Sequence, residues 1–483
     1  MLAHAKKLCY NHADKFLLCR CKMFRKFIGD RAFYRRVLAL MIPIMLQNGI
    51  TNLVNMLDNI MIGRIGTVEM TGVAVTNQLL FVFNLCIFGA VSGAGIFTAQ
   101  YHGSKNEEGV RQTFRFKLIF CCALALIGTG IFIVFGDELI GSYLKGEGSP
   151  EDIAASLHYA KEYMWIMLIG LVPYTIVQCY SSTLRETDRA FPPMVAGVAA
   201  VFVNLVLNYV LIFGNFGAPA LGVRGAAIAT VISRFAELGI IFIWTKIKKD
   251  LAPFARGALA SLYVPAALIK NIMKRGMPLM VNEAMWASGI AVLNQCYSVH
   301  GLDIVSAHNI QATFFNVFSV VFMSVGVAAG IILGQILGSD DKDLAIDTAR
   351  KLIFFSVVIS IAVGAVYFVC ASFIPEMYNT TTEVKAIAAA MMKISALAMP
   401  LDAFAHASYF TLRSGGKAFI TILFDSCFVW AVSVPIAFLL GEFTQLPMLT
   451  IFAVCHFSNI IKDILGYIFV KRGIWVKNIV KEG

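Results

Sequence analysis

Long apolar stretches separated by short polar segments run along almost the whole of the 483-residue chain. A bilayer core about 30 Å thick requires roughly 20 apolar residues per helical crossing. Twelve stretches of suitable length occur, at residues 37–58, 72–98, 118–136, 159–183, 192–213, 222–245, 268–298, 306–335, 352–375, 388–411, 418–440 and 446–470. They predict an all-α polytopic membrane protein, and a composition that is 58% hydrophobic and only 14% charged agrees with that class.

The second half of the chain repeats features of the first. A shift of 235 positions superposes five pairs of residues: Pro43 and Pro278, Gly66 and Gly301, Gly95 and Gly330, Gln100 and Gln335, Gly103 and Gly338. The Thr-Leu-Arg triplets at 183–185 and 411–413 match at a shift of 228, which a short deletion explains. Six spans per half give both halves one orientation, so the repeat is parallel about an axis along the membrane normal.

The repeat and the apolar pattern together predict two pseudo-symmetric six-helix bundles. The predicted divisions are an N-terminal arm (1–36), an N-lobe (37–245), a linker (246–267), a C-lobe (268–470) and a tail (471–483). Two lobes of this kind enclose a central cleft, in which substrate sites of transporters commonly lie.

Positive charge is distributed unevenly between the connecting segments. Lys and Arg concentrate in the arm, the tail and alternate loops, whereas the opposite set of loops holds only Arg64, Lys145, Arg224 and Lys385. This asymmetry predicts a multi-pass cell-membrane protein with both termini cytoplasmic. The net charge of +11 therefore predicts contact with membrane lipid, with the arm solvated or touching lipid, and no nucleic-acid partner. Cysteines and histidines in the arm lack the spacing of a zinc site.

Polar residues follow one face of the first span. Gln47, Thr51, Asn55 and Asp58 are three or four residues apart, which places them on one side of a helix. A charge inside the bilayer is costly, so Asp58 is predicted to face a wet cavity or a partner and is a candidate binding residue. The alternative is a solvated position at the helix end. In the fifth span, Asn204 and Asn208 form an i, i+4 pair that serves either helix packing or binding.

The C-terminal half carries its own acids inside predicted spans: Glu283, Asp402 and Asp425. Glu283 follows Asn282 and lies close to Trp286, a pairing suited to organic cations. No basic residue is recognisable on the faces of Asp58, Glu283 and Asp402. A buried acid takes up a proton, whereas a polar cage keeps it ionised for sodium, and the sequence leaves both open.

Other charged residues in the spans are predicted to be structural. Arg234 with Glu237, and Lys462 with Asp463, are expected to form internal ion pairs, and Asp425 is expected to pair near a loop or reach toward the membrane surface.

Signatures of enzymes are missing. The sequence has no Walker A loop, no HExxH and no Gly-x-Ser-x-Gly. We therefore predict that the protein is not an enzyme, that it has no cofactor and that its energy comes from an ion gradient.

These motifs resemble the MATE (multidrug and toxic compound extrusion) transporters from about Pro43 to Arg472. The resemblance is carried by Pro43 with Asp58 and the Gly-Arg-Ile-Gly at 63–66, by the Gly-rich run 222–230, by Pro278 with Asn282 and Glu283, and by Asp402 with Leu412 and Arg413. It implies two six-helix bundles in a V that export organic cations in exchange for sodium ions or protons.

The resemblance also implies roles for single residues. Asp58 matches the first-span acid used for ion coupling, and Asp402 matches a tenth-span acid. Glu283 resembles the seventh-span acid of the family but stands about one turn earlier than in some branches. Asn208 occupies the place of a fifth-span Asp that forms a proton site with the first-span acid in another branch. This departure favours coupling in the C-lobe, with a sodium site at Glu283 and Asp402.

We therefore predict a monomeric antiporter whose coupling ion or substrate is bound by polar residues of both lobes: Asp58, Glu283, Asp402, Asn55, Asn282, Gln47, Asn204 and Asn208. Two alternatives stay open at this point. The chain could export a lipid-linked or anionic metabolite, or it could be a membrane scaffold or receptor that does not transport.

Overall fold

A computed structural model describes residues 26–144 and 149–481, and within them every side chain except those of Asn55, Met56 and Asn59. Within these residues, twelve helical spans follow one another. They are α1 (Arg31–Gly63), α2 (Thr67–Gly103), α3 (Glu107–Leu144), α4 (Pro150–Ile169 and Leu171–Glu186), α5 (Phe191–Phe213), α6 (Gly222–Ile247), α7 (Ala266–Ser298), α8 (Leu302–Gly338), α9 (Lys342–Cys370), α10 (Thr382–Ser414), α11 (Ala418–Phe443) and α12 (Met448–Lys471).

The spans agree with the predicted twelve-helix layout, with local differences. Among the described residues, ten helices are long and apolar enough to cross a membrane, and α4, bent by 48° at Gly170, makes an eleventh. The helix α7 is 33 residues long but more polar, because cations occupy its first half and Asn282 and Glu283 its middle. Helices also extend beyond the apolar stretches. α1 begins at Arg31 rather than at 37, because Asp30 caps its first turn by accepting from the Phe33 amide at 2.7 Å.

The helices form two bundles, the N-lobe (α1–α6) and the C-lobe (α7–α12). The lobes meet where α2 packs on α7 and α8 and where α1 packs on α8. Small residues bring these helices close together: a Cβ atom at Gly93 of α2 would lie 2.6 Å from the Cα atom of Gly276 of α7. Without the driving force of water, close backbone approach of this kind supplies much of the packing energy between membrane helices.

Two helices of the C-lobe are interrupted in their middle. α11 breaks at Asp425 and continues through a π-helical turn at Val429–Ser433. α12 breaks at Ser458, between Met448–Phe457 and Asn459–Lys471. Such breaks free backbone groups and are typical of places where a membrane protein binds an ion or substrate.

The segment between the lobes is folded against the N-lobe. Phe254 of this linker is buried and packs edge-on against Phe114 of α3 at 5.0 Å between ring centroids. Arg115 of α3 donates to the carbonyl oxygen of Ala258 at 2.9 Å. The first 25 residues of the predicted arm lie outside the described part of the chain.

Candidate functional site

Asp58 of α1 lies in a cage of amide and hydroxyl groups within the N-lobe. Asn208 Nδ2 of α5 donates to its carboxylate at 2.6 Å. With the Asn204 amide nitrogen turned toward Asp58, it donates to both carboxylate oxygens at 3.1 and 3.3 Å, and its oxygen accepts from Thr230 of α6 at 3.2 Å. Asn208 Oδ1 is buried and has no hydrogen-bond partner among the described residues. The cage thus places one neutral oxygen, Asn208 Oδ1, in the residue whose amide nitrogen holds the carboxylate, and an acid with a neutral oxygen can bind a small cation.

The remaining polar residues of the α1 stripe have other surroundings. Gln47 lies eleven residues before Asp58, about 16 Å along the helix, and its Oε1 atom accepts from Arg185 of α4 at 2.6 Å. Thr51 donates to the Gln47 carbonyl oxygen within the helix. Asn55 belongs to α1, but its side chain lies outside the described part of the structure. The structure therefore brings Asp58, Asn204 and Asn208 together and places Gln47 with an arginine.

In the C-lobe, the carboxylate of Glu283 forms an ion pair and a hydrogen bond with residues of α10. Arg413 Nη1 lies 3.3 Å from Glu283 Oε1, and the Tyr409 hydroxyl donates to the same oxygen at 3.2 Å. Arg413 is only 3% exposed and also donates to Ser92 of the N-lobe. The expectation that Glu283 has no base nearby was wrong. Because the two residues lie on different helices, the pair is visible only in the folded structure, where their side chains meet.

A second ion pair lies next to it. Lys462 of α12 contacts the Asp425 carboxylate at 2.7 Å, and Asn282 donates to the other oxygen of Asp425 at 3.2 Å. Asn282 is fully buried, and its side-chain oxygen accepts from Ser426 at 2.6 Å. The predicted pairing of Lys462 with Asp463 was therefore wrong: adjacent residues of a helix point in different directions, and Lys462 points to α11.

Asp402 of α10 faces α12. Its carboxylate accepts from Asn459 at 2.9 Å, and Asp463 lies four residues after Asn459, on the same helical face. One oxygen of Asp463 is buried without a partner among the described residues. Lys462, the residue before Asp463, contacts Asp425 rather than either acid. Sequence reasoning missed Asp463, although the i, i+1 spacing already argued against a pair with Lys462.

Glu283 and Asp402 therefore have different partners. Among the described contacts, none joins the two carboxylates: the first is held by Arg413 and Tyr409, and the second by Asn459. The sodium site predicted for this pair stays a prediction.

The predicted pair of Arg234 with Glu237 is likewise absent from the described ion pairs. The guanidinium of Arg234 lies over the ring of Tyr174, 4.5 Å from its centroid, and is held by a cation–π contact.

The ends of α2 and α8 fasten the lobes to each other. Gln100 Nε2 donates to the Ser414 carbonyl oxygen at 3.0 Å, and Gln335 Nε2 donates to the Glu186 carbonyl oxygen at 2.8 Å. Glu186 and Ser414 each follow the Thr-Leu-Arg triplet, so the two bonds are related by the repeat.

Glycines of the same repeat lie beside these bonds. A Cβ atom at Gly103 would lie 1.8 Å from the Gln335 carbonyl oxygen, and one at Gly338 would lie 2.0 Å from that of Gln100. We call Gln100, Gly103, Gln335 and Gly338 the glutamine latch.

The tail after α12 adds to this contact. Trp475 is fully buried, and a Cβ atom at Gly415 would lie 1.7 Å from its carbonyl oxygen. The Ile479 amide donates to Gln100 Oε1 at 2.8 Å, and Asn478 donates to the Gly338 carbonyl oxygen at 3.2 Å. The tail therefore binds residues of both lobes and stabilises their closed arrangement at this end.

Charged groups surround the glutamine latch. Arg36 of α1 donates to Gln335 Oε1 at 2.5 Å. In the turn after α4, partial burial opposes ionisation of Asp188, but His102, whose Nε2 lies 3.6 Å from its carboxylate, and the Arg36 guanidinium hold the pKa of Asp188 below its usual range.

A known protein family matches one segment in each half of the repeat. The sequence matches the MatE family over residues 43–210 and 278–439, segments that begin at the paired prolines Pro43 and Pro278. The chain belongs to the MatE family. The resemblance drawn from the sequence is thereby confirmed, and the family is one of multidrug efflux transporters.

Relatives of this MatE protein extend over nearly its whole length. It is 25% identical over 453 residues to the "Probable multidrug resistance protein NorM" of Thermotoga maritima, covering 92% of this chain and 94% of the relative. It is 24% identical over 418 residues to the "Probable multidrug resistance protein YoeA" of Bacillus subtilis, covering 86% and 89%.

Solved MATE structures share the fold. An outward-facing multidrug resistance MATE transporter of the MOP superfamily superposes with a TM-score of 0.81 at 19% identity, over 94% of this chain and 98% of that one. A MOP superfamily transporter from Pyrococcus furiosus gives a TM-score of 0.82 at 18% identity with the same coverage. The MatE protein is therefore a multi-pass membrane protein of two six-helix bundles.

Proposed function

We propose that this MatE protein is a secondary active antiporter that exports organic cations in exchange for sodium ions or protons. The observation that carries the proposal is the cage around Asp58. Its carboxylate is held by amides rather than by a base, and Asn208 Oδ1 next to it is a buried acceptor without a partner in the described residues. A buried orphan acceptor is costly, and a bound cation supplies what it lacks.

In the C-lobe, Asp402 and Asp463 are proposed to bind the same class of ion. They share the interior of the lobe with Asn459, while the nearby cation Lys462 is paired with Asp425. Glu283 is assigned a different task. Its pair with Arg413, which reaches Ser92 of the N-lobe, links the acid to the contact between the lobes.

Alternating access then consists of opening and closing the glutamine latch. In the closed arrangement, glutamines, glycines and the tail hold the lobes together at the end predicted to be cytoplasmic. Opening this end exposes the interior to the cytoplasmic side. Binding of an ion in either lobe drives the exchange only insofar as it favours one arrangement over the other.

Export from reconstituted vesicles tests the proposal. The probe is ethidium, with a sodium gradient and a pH gradient imposed separately, and an anionic dye as the comparison. We expect one of the two gradients to drive ethidium export and Asp58→Asn to abolish it. Asp303→Asn, an exposed acid at the start of α8, is the control that retains export. Export of the anionic dye alone would favour an anionic metabolite, and no gradient-driven movement of either dye would point to a non-transporting protein.

A further inference from the structure

A groove runs along the first three turns of α1, on the outer side of the N-lobe. It is a cavity of about 760 Å³, within the range of ordinary small-molecule sites. Its lining residues are Arg31, Tyr34, Arg35, Leu38, Ala39, Ile42, Pro43 and Phe191. All but Phe191, which begins α5, recur at steps of three and four and so form one face of α1.

The chemistry of the groove changes along its length. Arg31 and Arg35 form its outer end, one turn apart, and Leu38, Ile42 and Pro43 form its inner end. The distance from Arg31 to Pro43 is about 18 Å along a helix, slightly more than the roughly 15 Å of one leaflet's hydrocarbon. The groove therefore presents cations at the level of the headgroups and an apolar surface at the level of one leaflet.

The two arginines are available for a ligand. Among the described residues, no acid or carbonyl group pairs with Arg31 or Arg35. The neighbouring Asp30 is engaged as the cap of α1. Two guanidinium groups spaced by one turn match the several acceptor oxygens of a phosphate, to which arginine binds in bidentate fashion.

Charge also decides which occupant fits. Residues 1–25, the segment of this chain that precedes the groove, contain six Lys and Arg residues and one Asp. A segment with that net positive charge is repelled by Arg31 and Arg35, whereas an anionic lipid is attracted. Leu38, Ile42 and Phe191 are 36%, 41% and 64% exposed, which leaves the inner end open to acyl chains.

The equivalent face of the C-lobe shows that the groove is not a general property of the repeat. At a shift of 235, Leu38 and Ile42 correspond to Met273 and Met277 of α7. There the stacked rings of Phe116 and Phe120 fill the space and leave a cavity of only about 10 Å³. Lys270, the counterpart of Arg35, is exposed beside this closed surface.

We infer that the groove along α1 is a binding site for an anionic phospholipid, whose phosphate lies between Arg31 and Arg35 and whose acyl chain lies along Leu38, Ile42 and Phe191. This site is separate from the proposed ion sites and does not depend on the transport function. Juxtamembrane arginines each contribute about fivefold to the affinity for acidic lipid.

Native mass spectrometry of the purified full chain tests the inference. Phosphatidylglycerol and phosphatidylcholine with identical acyl chains are the probes. We expect the Arg31→Gln/Arg35→Gln variant to bind phosphatidylglycerol about 25-fold more weakly than the unaltered chain, with phosphatidylcholine binding unchanged. Lys270→Gln is the matched control and should bind both lipids as before. An unchanged preference for phosphatidylglycerol in the double variant would overturn the inference.

Two further measurements distinguish the occupants. Ile42→Trp fills the inner end and should weaken binding of both lipids, whereas excess inorganic phosphate, which has no acyl chain, should displace neither. Displacement by phosphate would overturn the lipid in favour of a free anion. A photocrosslinking amino acid at position 42 should label lipid in vesicles that contain phosphatidylglycerol, and a crosslink to residues 1–25 instead would show that the arm covers the groove.

Discussion

The same Thr-Leu-Arg triplet closes α4 in the N-lobe and α10 in the C-lobe, yet its two arginines have different partners. Arg185 donates to the neutral side chain of Gln47, whereas Arg413 pairs with the carboxylate of Glu283 and reaches Ser92 across the lobe interface. By contrast, the glutamine latch is nearly symmetric, with each glutamine bound to the carbonyl oxygen that follows the opposite triplet. The duplication has therefore kept its interface and diverged in its interior.

The difference has a physical reason. Positions near the pseudo-symmetry axis contact residues of the opposite lobe, so a change in one lobe disturbs the other, and Gly103 and Gly338 admit no added atom. A position such as Asp58, whose described hydrogen-bond partners belong to its own lobe, can vary independently. Asp58 lies in an amide cage, whereas its counterpart in the repeat is the apolar Leu293.

The largest expected effect concerns Asp58, an acid whose counterpart in the C-lobe is the apolar Leu293. Asp58→Leu should reduce ion-driven export by about 100-fold or more, equivalent to roughly 2.7 kcal/mol of lost ion binding. Adding Leu293→Asp should not restore it, because the new acid lacks the amides of Asn204 and Asn208. Export by both variants in vesicles is the measurement. Recovery in the double variant would mean that the two lobes are interchangeable in this respect.

The next effect concerns the glutamine latch. Gly103→Ala places a methyl group 1.8 Å from a backbone oxygen, and overpacking of this kind costs about 1–3 kcal/mol. The closed arrangement should become about 5- to 150-fold less populated, and export should fall accordingly. Gly338→Ala should behave alike if the symmetry is functional. Gly130→Ala, where an added Cβ meets open space, is the control.

A smaller effect should be a difference in coupling energy between Arg413 and Arg185 and their respective partners. In double-mutant cycles on thermal stability, we expect a coupling energy of about 2–3 kcal/mol between Glu283 and Arg413, a buried charged pair. The cycle for Gln47 and Arg185 should give about 1 kcal/mol, since one partner is neutral. The variants are Glu283→Gln, Arg413→Gln, Gln47→Ala and Arg185→Gln. Equal coupling in both lobes would contradict the asymmetry drawn from the contacts.

The smallest effect is a pH dependence at the lobe interface. The pKa of Asp188 is lowered in the folded protein, so its ionised form stabilises the fold above its unfolded pKa of about 3.9. That contribution is lost as the pH falls through the folded value. Asp188→Asn should therefore lower the melting temperature slightly at pH 7, and the difference from the unaltered chain should shrink as the pH falls below the unfolded pKa of about 3.9. A difference that persists at low pH would assign the effect to packing.

Much of the fold followed from the sequence because membranes limit the possibilities. The lengths of the apolar stretches predict twelve spans. The repeat pairs Gln100 with Gln335 and Gly103 with Gly338, and the structure brings these residues into contact. The partners of the charged residues could not be read in this way. Arg413 and Glu283 lie 130 positions apart, and only their side chains, which meet between α7 and α10, join them.

Other residues carried signals that were open to interpretation. Asn204 and Asn208 were recognised as an i, i+4 pair, but their contact with Asp58 required the packing of α5 on α1. For Asp463, helical geometry alone excluded a pair with its neighbour Lys462. By the same geometry, Asp463 is an acid within a span that has no partner recognisable in the sequence.

The position of the tail in the chain has a consequence for biosynthesis. Trp475 and Ile479 come after all twelve helices, yet they contact α8 and α10 of the C-lobe and Gln100 of the N-lobe. During translation the tail leaves the ribosome last, after the N-lobe and most of the C-lobe, and domains generally fold in the order of their synthesis. The nascent lobes thus meet first without the segment that fastens them, and assembly of the closed transporter is completed only when the tail docks.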